Sequence, residues 1–98
     1  PNYIDALYRK ALSLMAEGNN SEAMSLLEKV VAKDPRQKGA YNAMGLIFEA
    51  EGKYASASAA YENASRIDPK WSQPKINNMH GLQLLGRMDE AMKIFVTV

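Results

Sequence analysis

Three observations on this 98-residue chain predict an all-α helical repeat of about six antiparallel helices. They are a 34-residue internal period, apolar residues at helical spacing within each period, and glycine or Asp-Pro punctuation between segments. Gly18, Gly52 and Gly86 stand 34 residues apart, as do Ala23, Ala57 and Ala91, and Asp34-Pro35 returns as Asp68-Pro69. Leu27, Tyr61 and Phe95 share one equivalent position, Leu14, Phe48 and Leu82 another, and Ala6 matches Ala40. Two full units, about 4–37 and 38–71, are followed by most of a third, 72–98, and all three are read as one domain spanning 1–98.

Each unit divides into helix A and helix B. Taken in order, the segments predicted as helical run near 3–17, 21–33, 38–51, 54–66, 73–85 and 88–97. In the second unit Tyr41, Met44, Ile47 and Phe48 recur at i, i+3, i+6 and i+7, close to one face of an A helix. Ala57, Ala60, Tyr61 and Ala64 do the same for its B helix. The glycines sit where helix A must stop, because glycine enters the left-handed conformation without a Cβ clash. Asn19, Asn20 and Ser21 offer capping oxygens to the helix that follows in the first unit, and Asp89 and Glu90 place negative charge at the corresponding end in the third. Asp34-Pro35 and Asp68-Pro69 close the B helices, since proline supplies no backbone donor and disfavours a helical residue before it.

The packing pattern alternates small with large. Ala11 and Gly45 on the A helices, with Ala23, Ala57 and Ala91 on the B helices, admit axes about 8 to 10 Å apart. Leu7 or Tyr41, Leu14 or Phe48, and Leu27, Tyr61 or Phe95 fill the remaining space. A helix pair of this kind leaves its apolar face uncovered until another stacks on it.

Composition sets the outer bounds. Hydrophobic residues at 47% and charged residues at 23% are those of a folded globular chain. Twelve Lys and Arg against eleven Asp and Glu leave a net charge of +1, interspersed along the chain, which gives no attraction to phosphate polymers. No apolar run approaches the ~18 residues needed to span a bilayer, and Pro1 to Asp5 lack a signal pattern. The absence of an initiating Met predicts processing or excision from a longer protein, so the compartment stays open with the cytoplasm favoured. With no cysteine there is no disulfide, thiolate nucleophile or Cys-ligated metal. His80 is the single histidine, so a zinc site of the usual kind cannot be assembled, and it reads as a surface or groove residue. Asp89-Glu90 and Glu49 with Glu51 are read as solvated helix ends, and no phosphate-binding glycine loop occurs. No metal, cofactor or catalytic group is expected, and the chain is read as no enzyme. Trp71, just after Asp68-Pro69-Lys70, is expected to pack over the junction between repeats.

Period, punctuation and packing together resemble the tetratricopeptide repeat, whose pattern is Trp-x-x-Leu-Gly-x-x-Tyr, then Ala-x-x-x-Phe, then Pro. The second unit carries it as Tyr41-x-x-Met44-Gly45-x-x-Phe48, then Ala57-x-x-x-Tyr61, Ala64 and Pro69. The first matches through Leu7, Ala11, Leu14, Gly18, Ala23, Leu27 and Pro35. The third departs, with Lys75 for the large residue, Met79 for the small one and Pro74 in the first turn. Met79 in a close helix contact would overpack, so the third A helix is expected to rotate or shift, with Ile76, Met79 and Leu82 sharing the buried stripe. The pentatricopeptide RNA readers, of similar repeat length, are disfavoured by the neutral charge.

The resemblance implies a right-handed solenoid whose A helices line a concave groove that holds a peptide or helix of a partner protein, in a scaffold or adaptor role. Carried over by position, the groove residues are Tyr8, Arg9, Leu12, Met15, Asn42, Ala43, Leu46, Glu49, Ile76, Asn77, His80 and Gln83. Asn42 and Asn77 are candidates for hydrogen bonds to a partner backbone. A family subtype that grips chaperone C-terminal carboxylates uses Lys, Asn, Asn, Lys and Arg, where this chain has Tyr8, Leu12, Ala43, Gln73 and Asn77. With no cation kept, that clamp is not expected. Neither nucleic acid nor membrane is an expected partner. The alternative is self-association within a larger protein, one carrying an enzyme domain elsewhere, through the unfinished last helix at Val98.

Overall fold

The computed structural model describes the backbone of residues 2–84 and the side chains of residues 3–82. Five helices stand among them: α1 Asn2–Ala16, α2 Asn20–Lys33, α3 Lys38–Ala50, α4 Tyr54–Ile67 and α5 Gln73–Leu84. They are the predicted helices A1 to A3 with B1 and B2 between. The sixth, expected near 88–97 and carrying Ala91 and Phe95, lies outside the described residues, as does Val98.

The A-to-B turns are built identically. Gly18 and Gly52 have φ of 83° and 79°, the left-handed conformation glycine takes at no Cβ cost. Around Gly18 the Asn19 N–H donates to the Leu14 carbonyl at 2.8 Å and the Gly18 N–H to the Met15 carbonyl at 3.0 Å. Lys53 to Phe48 and Gly52 to Glu49 repeat the pair at 2.8 and 3.0 Å. Both are Schellman closures, which satisfy carbonyls that the helix end would otherwise leave open. The expected side-chain caps do not form. Asn19 is the N-cap of α2 but makes no side-chain cap hydrogen bond, and its Nδ2 turns back to Glu17 Oε1 at 3.4 Å. Asn20 already belongs to the helix, so it falls one position and Ser21 two positions too late to cap it.

The B-to-A turns also repeat. Asp34 and Asp68 stand at φ, ψ near −135°, 89°, the extended region that a following proline imposes. Their Oδ1 atoms accept the N–H groups of Arg36 and Lys70, each at 3.2 Å. The second turn is tied further, because Lys38 at the start of α3 pairs with Asp68 and lies 5.1 Å above the Trp71 ring. The hydrogen bond from Lys38 holds the Asp68 carboxyl below its ordinary range. Trp71, half-buried in that turn, is a junction residue as expected.

Each helix packs on its sequence neighbours, and α1 also touches α3 while α3 touches α5. The B helices α2 and α4 make no comparable contact. A stack whose A layer touches while its B layer splays bends toward the A layer, so α1, α3 and α5 lie on the inside of the curve. The core between the layers runs through Ala11, Ala23, Leu27, Val30, Ala40 and Ile47 into Ala57, Ala60, Tyr61, Ala64 and Leu82. Alanines at these positions let the helices close without voids.

The third A helix does not bury the expected stripe. Its buried residues are Pro74, Asn78, Gly81 and Leu82, while Ile76 is exposed and Met79 only half-buried. Positions 74, 78, 81 and 82 are one helix face, equivalent to Ala40 and Ile47, which α3 also buries, and to Met44 and Phe48, which it half-buries. The stripe expected from Ile76, Met79 and Leu82 is therefore wrong in its first member: α5 buries a proline, an amide and a glycine beside Leu82 instead. The Asn78 Oδ1 has no hydrogen-bond partner among the described residues.

A candidate binding groove on the inner helices

Among the described residues the inner layer carries three large aliphatic side chains that packing leaves in solvent. Leu12 on α1, Leu46 on α3 and Ile76 on α5 are 40%, 39% and 44% exposed. Leu12 and Leu46 share one repeat position, while Ile76 follows that of Tyr8 and Asn42. Core positions of these helices face the B layer, so each of the three points away from it. His80, the equivalent of Leu46 on α5, is also exposed.

The other groove positions divide by what the neighbouring helix does to them. Tyr8 is half-buried over Gly39, where a Cβ would come within 2.9 Å of the ring's Cζ, and burial pushes its phenol pKa up. Arg9 is exposed and pairs with Asp5 one turn back, Nε to Oδ2 at 3.0 Å. Met15 is half-buried against the first core cluster. Ala43 is 3% exposed and belongs to that core, which corrects its place among the groove residues. A small side chain at this position is covered by its neighbours. The Gln83 side chain lies outside the described residues.

Asn42 and Asn77 meet each other. Asn77 Nδ2 donates to Asn42 Oδ1 at 3.2 Å across α3 and α5, and Asn77 Oδ1 accepts from Gln73 Nε2 at 2.9 Å. The pair is a clip between inner helices, and only part of its hydrogen-bonding capacity is left for a ligand.

Glu49 is held from beneath. The Tyr61 ring is wholly buried under α3, where Gly45 makes room for it: a Cβ at Gly45 would stand 2.6 Å from Tyr61 Cδ1 and 2.8 Å from Cζ. The ring passes under α3 and its hydroxyl donates to Glu49 Oε1 at 3.2 Å. Burial above all, then the Glu49 charge and this hydrogen bond, push the Tyr61 phenol far above its ordinary pKa. Reading positions singly misses this triad. Its signal was the paired change from Ala11 with Leu27 in the first repeat to Gly45 with Tyr61 in the second.

Elsewhere an open cleft of about 310 Å³ is lined by Pro35, Arg36, Tyr41, Asn63, Arg66 and Ile67. Among the described residues no group of three His, Cys, Asp or Glu is placed to hold a metal, and no helix is long and apolar enough to cross a membrane.

Two family models, each described as tetratricopeptide repeat, match residues 5–36 and 39–70. An uncharacterized protein y4yS of Sinorhizobium fredii is 30% identical over 80 residues, 82% of this chain and 43% of the relative. The chain thus spans under half the length of that relative. Among solved structures, that of MamA superposes with a TM-score of 0.93 at 23% identity, covering 96% of this chain and 55% of MamA. The Yersinia enterocolitica type III secretion chaperone SycD, in complex with a peptide of the translocator YopD, superposes with a TM-score of 0.94 at 18% identity, covering 99% and 74%.

Proposed function

The chain belongs to the tetratricopeptide repeat family, and we propose that it acts by holding a peptide or helix of another protein along the α1, α3 and α5 face, as a scaffold or adaptor without chemistry of its own. The observation that carries this reading is the row of Leu12, Leu46 and Ile76, exposed on three adjacent helices of the inner layer. Aliphatic groups left in water on the inside of a bend mark a surface completed by another molecule. About 60% of each side chain is already covered, so burying the remainder contributes roughly 0.6 to 1.2 kcal/mol each before the cost of ordering the partner. The SycD structure, of the same fold, holds a peptide of another protein and supports the same use here.

The positions of a carboxylate clamp carry Tyr8, Leu12, Ala43, Gln73 and Asn77, and Ala43 is buried besides. A partner is therefore read through apolar contact rather than through a terminal carboxylate. The test is selection of a random displayed peptide library on the immobilised chain, repeated with Leu46→Glu and Leu12→Glu after circular dichroism has shown both variants folded. Loss of the selected peptides by both variants is the expected result. Equal binding by both overturns the assignment of this face, and a concentration-dependent dimer in light scattering that Leu46→Glu disperses makes the occupant a second copy.

A further inference from the structure

We propose that Glu49 reads charge in this groove, so that the segment held there carries a Lys or Arg paired with Glu49 beside apolar side chains that contact Leu46 and Ile76. The proposal rests on the binding role of the groove and narrows the chemistry of its occupant.

Glu49 lies one turn beyond the exposed Leu46 on α3 and is half-buried. The Tyr61 hydroxyl, on a ring with no freedom to move, fixes one carboxylate oxygen at 3.2 Å. A neutral donor orients a carboxylate without cancelling its charge. On the facing helix α5 stands Gly81, where a Cβ would lie 3.7 Å from Glu49 Oε1, so the described part of α5 puts no side chain over the carboxylate from that position. The ion pairs among the described residues are Arg9 with Asp5, Lys38 with Asp68, and Lys53 with Glu51. Glu49 is in none of these pairs among the described residues.

The helix ends reinforce the same sign. α2 and α4 carry Lys33 and Arg66 in their last turns, against the negative end of the helix dipole. α1 and α3 carry no base in theirs, and Glu49 itself sits in the last turn of α3. The negative end of the α3 dipole therefore adds to the Glu49 carboxylate in the same turn, a local field that attracts cations while the chain as a whole is nearly neutral.

The peptide selection already described distinguishes the two readings. Peptides taken by the wild-type chain are expected to be enriched in Lys or Arg next to aliphatic residues. On Glu49→Gln, which keeps the acceptor for Tyr61, that enrichment should disappear. A selected basic peptide should lose about tenfold in affinity for Glu49→Gln, while its Lys→Met version binds both proteins equally. If Leu46→Glu leaves the selected peptides bound, the groove reading fails and this one with it. If Leu46→Glu releases them but they show no basic enrichment, or bind Glu49→Gln as well as the wild type, the groove stands and the charge proposal is overturned.

Discussion

The first and second repeats share a backbone and differ at three linked positions. Where the first has Ala11, Met15 and Leu27, the second has Gly45, Glu49 and Tyr61. Ala11 and Leu27 are both wholly buried, as is Tyr61 against Gly45. The larger ring is accommodated by deleting one methyl group from the facing helix, and its hydroxyl then holds a charge where the first repeat has a thioether. A repeat can therefore change its surface through its core: a substitution on the outer helix sets which side chain is presented on the inner one.

Breaking that exchange should give the largest effect. Gly45→Ala forces a Cβ into the buried Tyr61 ring and should destabilise the chain by about 1 to 3 kcal/mol in urea unfolding. Adding Tyr61→Leu rebuilds the Ala and Leu pair of the first repeat and should recover most of that loss. A double mutant no better than Gly45→Ala alone would show that the two positions are not coupled. The turn glycines are the control, because they are alike in both repeats. A Cβ on Gly18 or Gly52 meets nothing within 4 Å, so Gly18→Ala and Gly52→Ala should each cost only the left-handed backbone strain, about 1 to 2 kcal/mol. A marked inequality between them would mean that the two turns are not equivalent.

The smallest effect concerns the hydroxyl alone. Tyr61→Phe should lose about 0.5 to 1.5 kcal/mol at neutral pH. Because the folded phenol pKa is raised, Tyr61 contributes stability that is complete below the unfolded value near 10 and lost as pH rises above it. Melting temperatures from about pH 8 to about pH 11 should fall less steeply for Tyr61→Phe than for the wild type. A residual slope is expected from Tyr8, whose pKa is also raised by burial. Identical slopes would place the Tyr61 hydroxyl in water.

Most of the fold is legible along the chain, and rather less of the groove. The left-handed glycines, the Asp-Pro turns and the 34-residue spacing are local, so they place the four ends of α1 and α2 and of α3 and α4 within one residue of expectation. Capping was misjudged because Asn19, Asn20 and Ser21 are all good caps by type, and the Schellman closure at Gly18 decides where the next helix begins. On the inner face, Leu12, Leu46 and His80 are exposed, whereas Ala43 is buried and Asn42 is tied to Asn77.

By itself the sequence determined the helices, their breaks and the repeat, because each follows from conformational preferences and apolar spacing within a few residues. Only the tertiary structure decided which neighbouring position is covered, that α5 buries a proline, an asparagine and a glycine beside Leu82, and how Tyr61 reaches Glu49 under Gly45. Those outcomes depend on how closely two helices approach, a distance set jointly by side chains far apart in the chain.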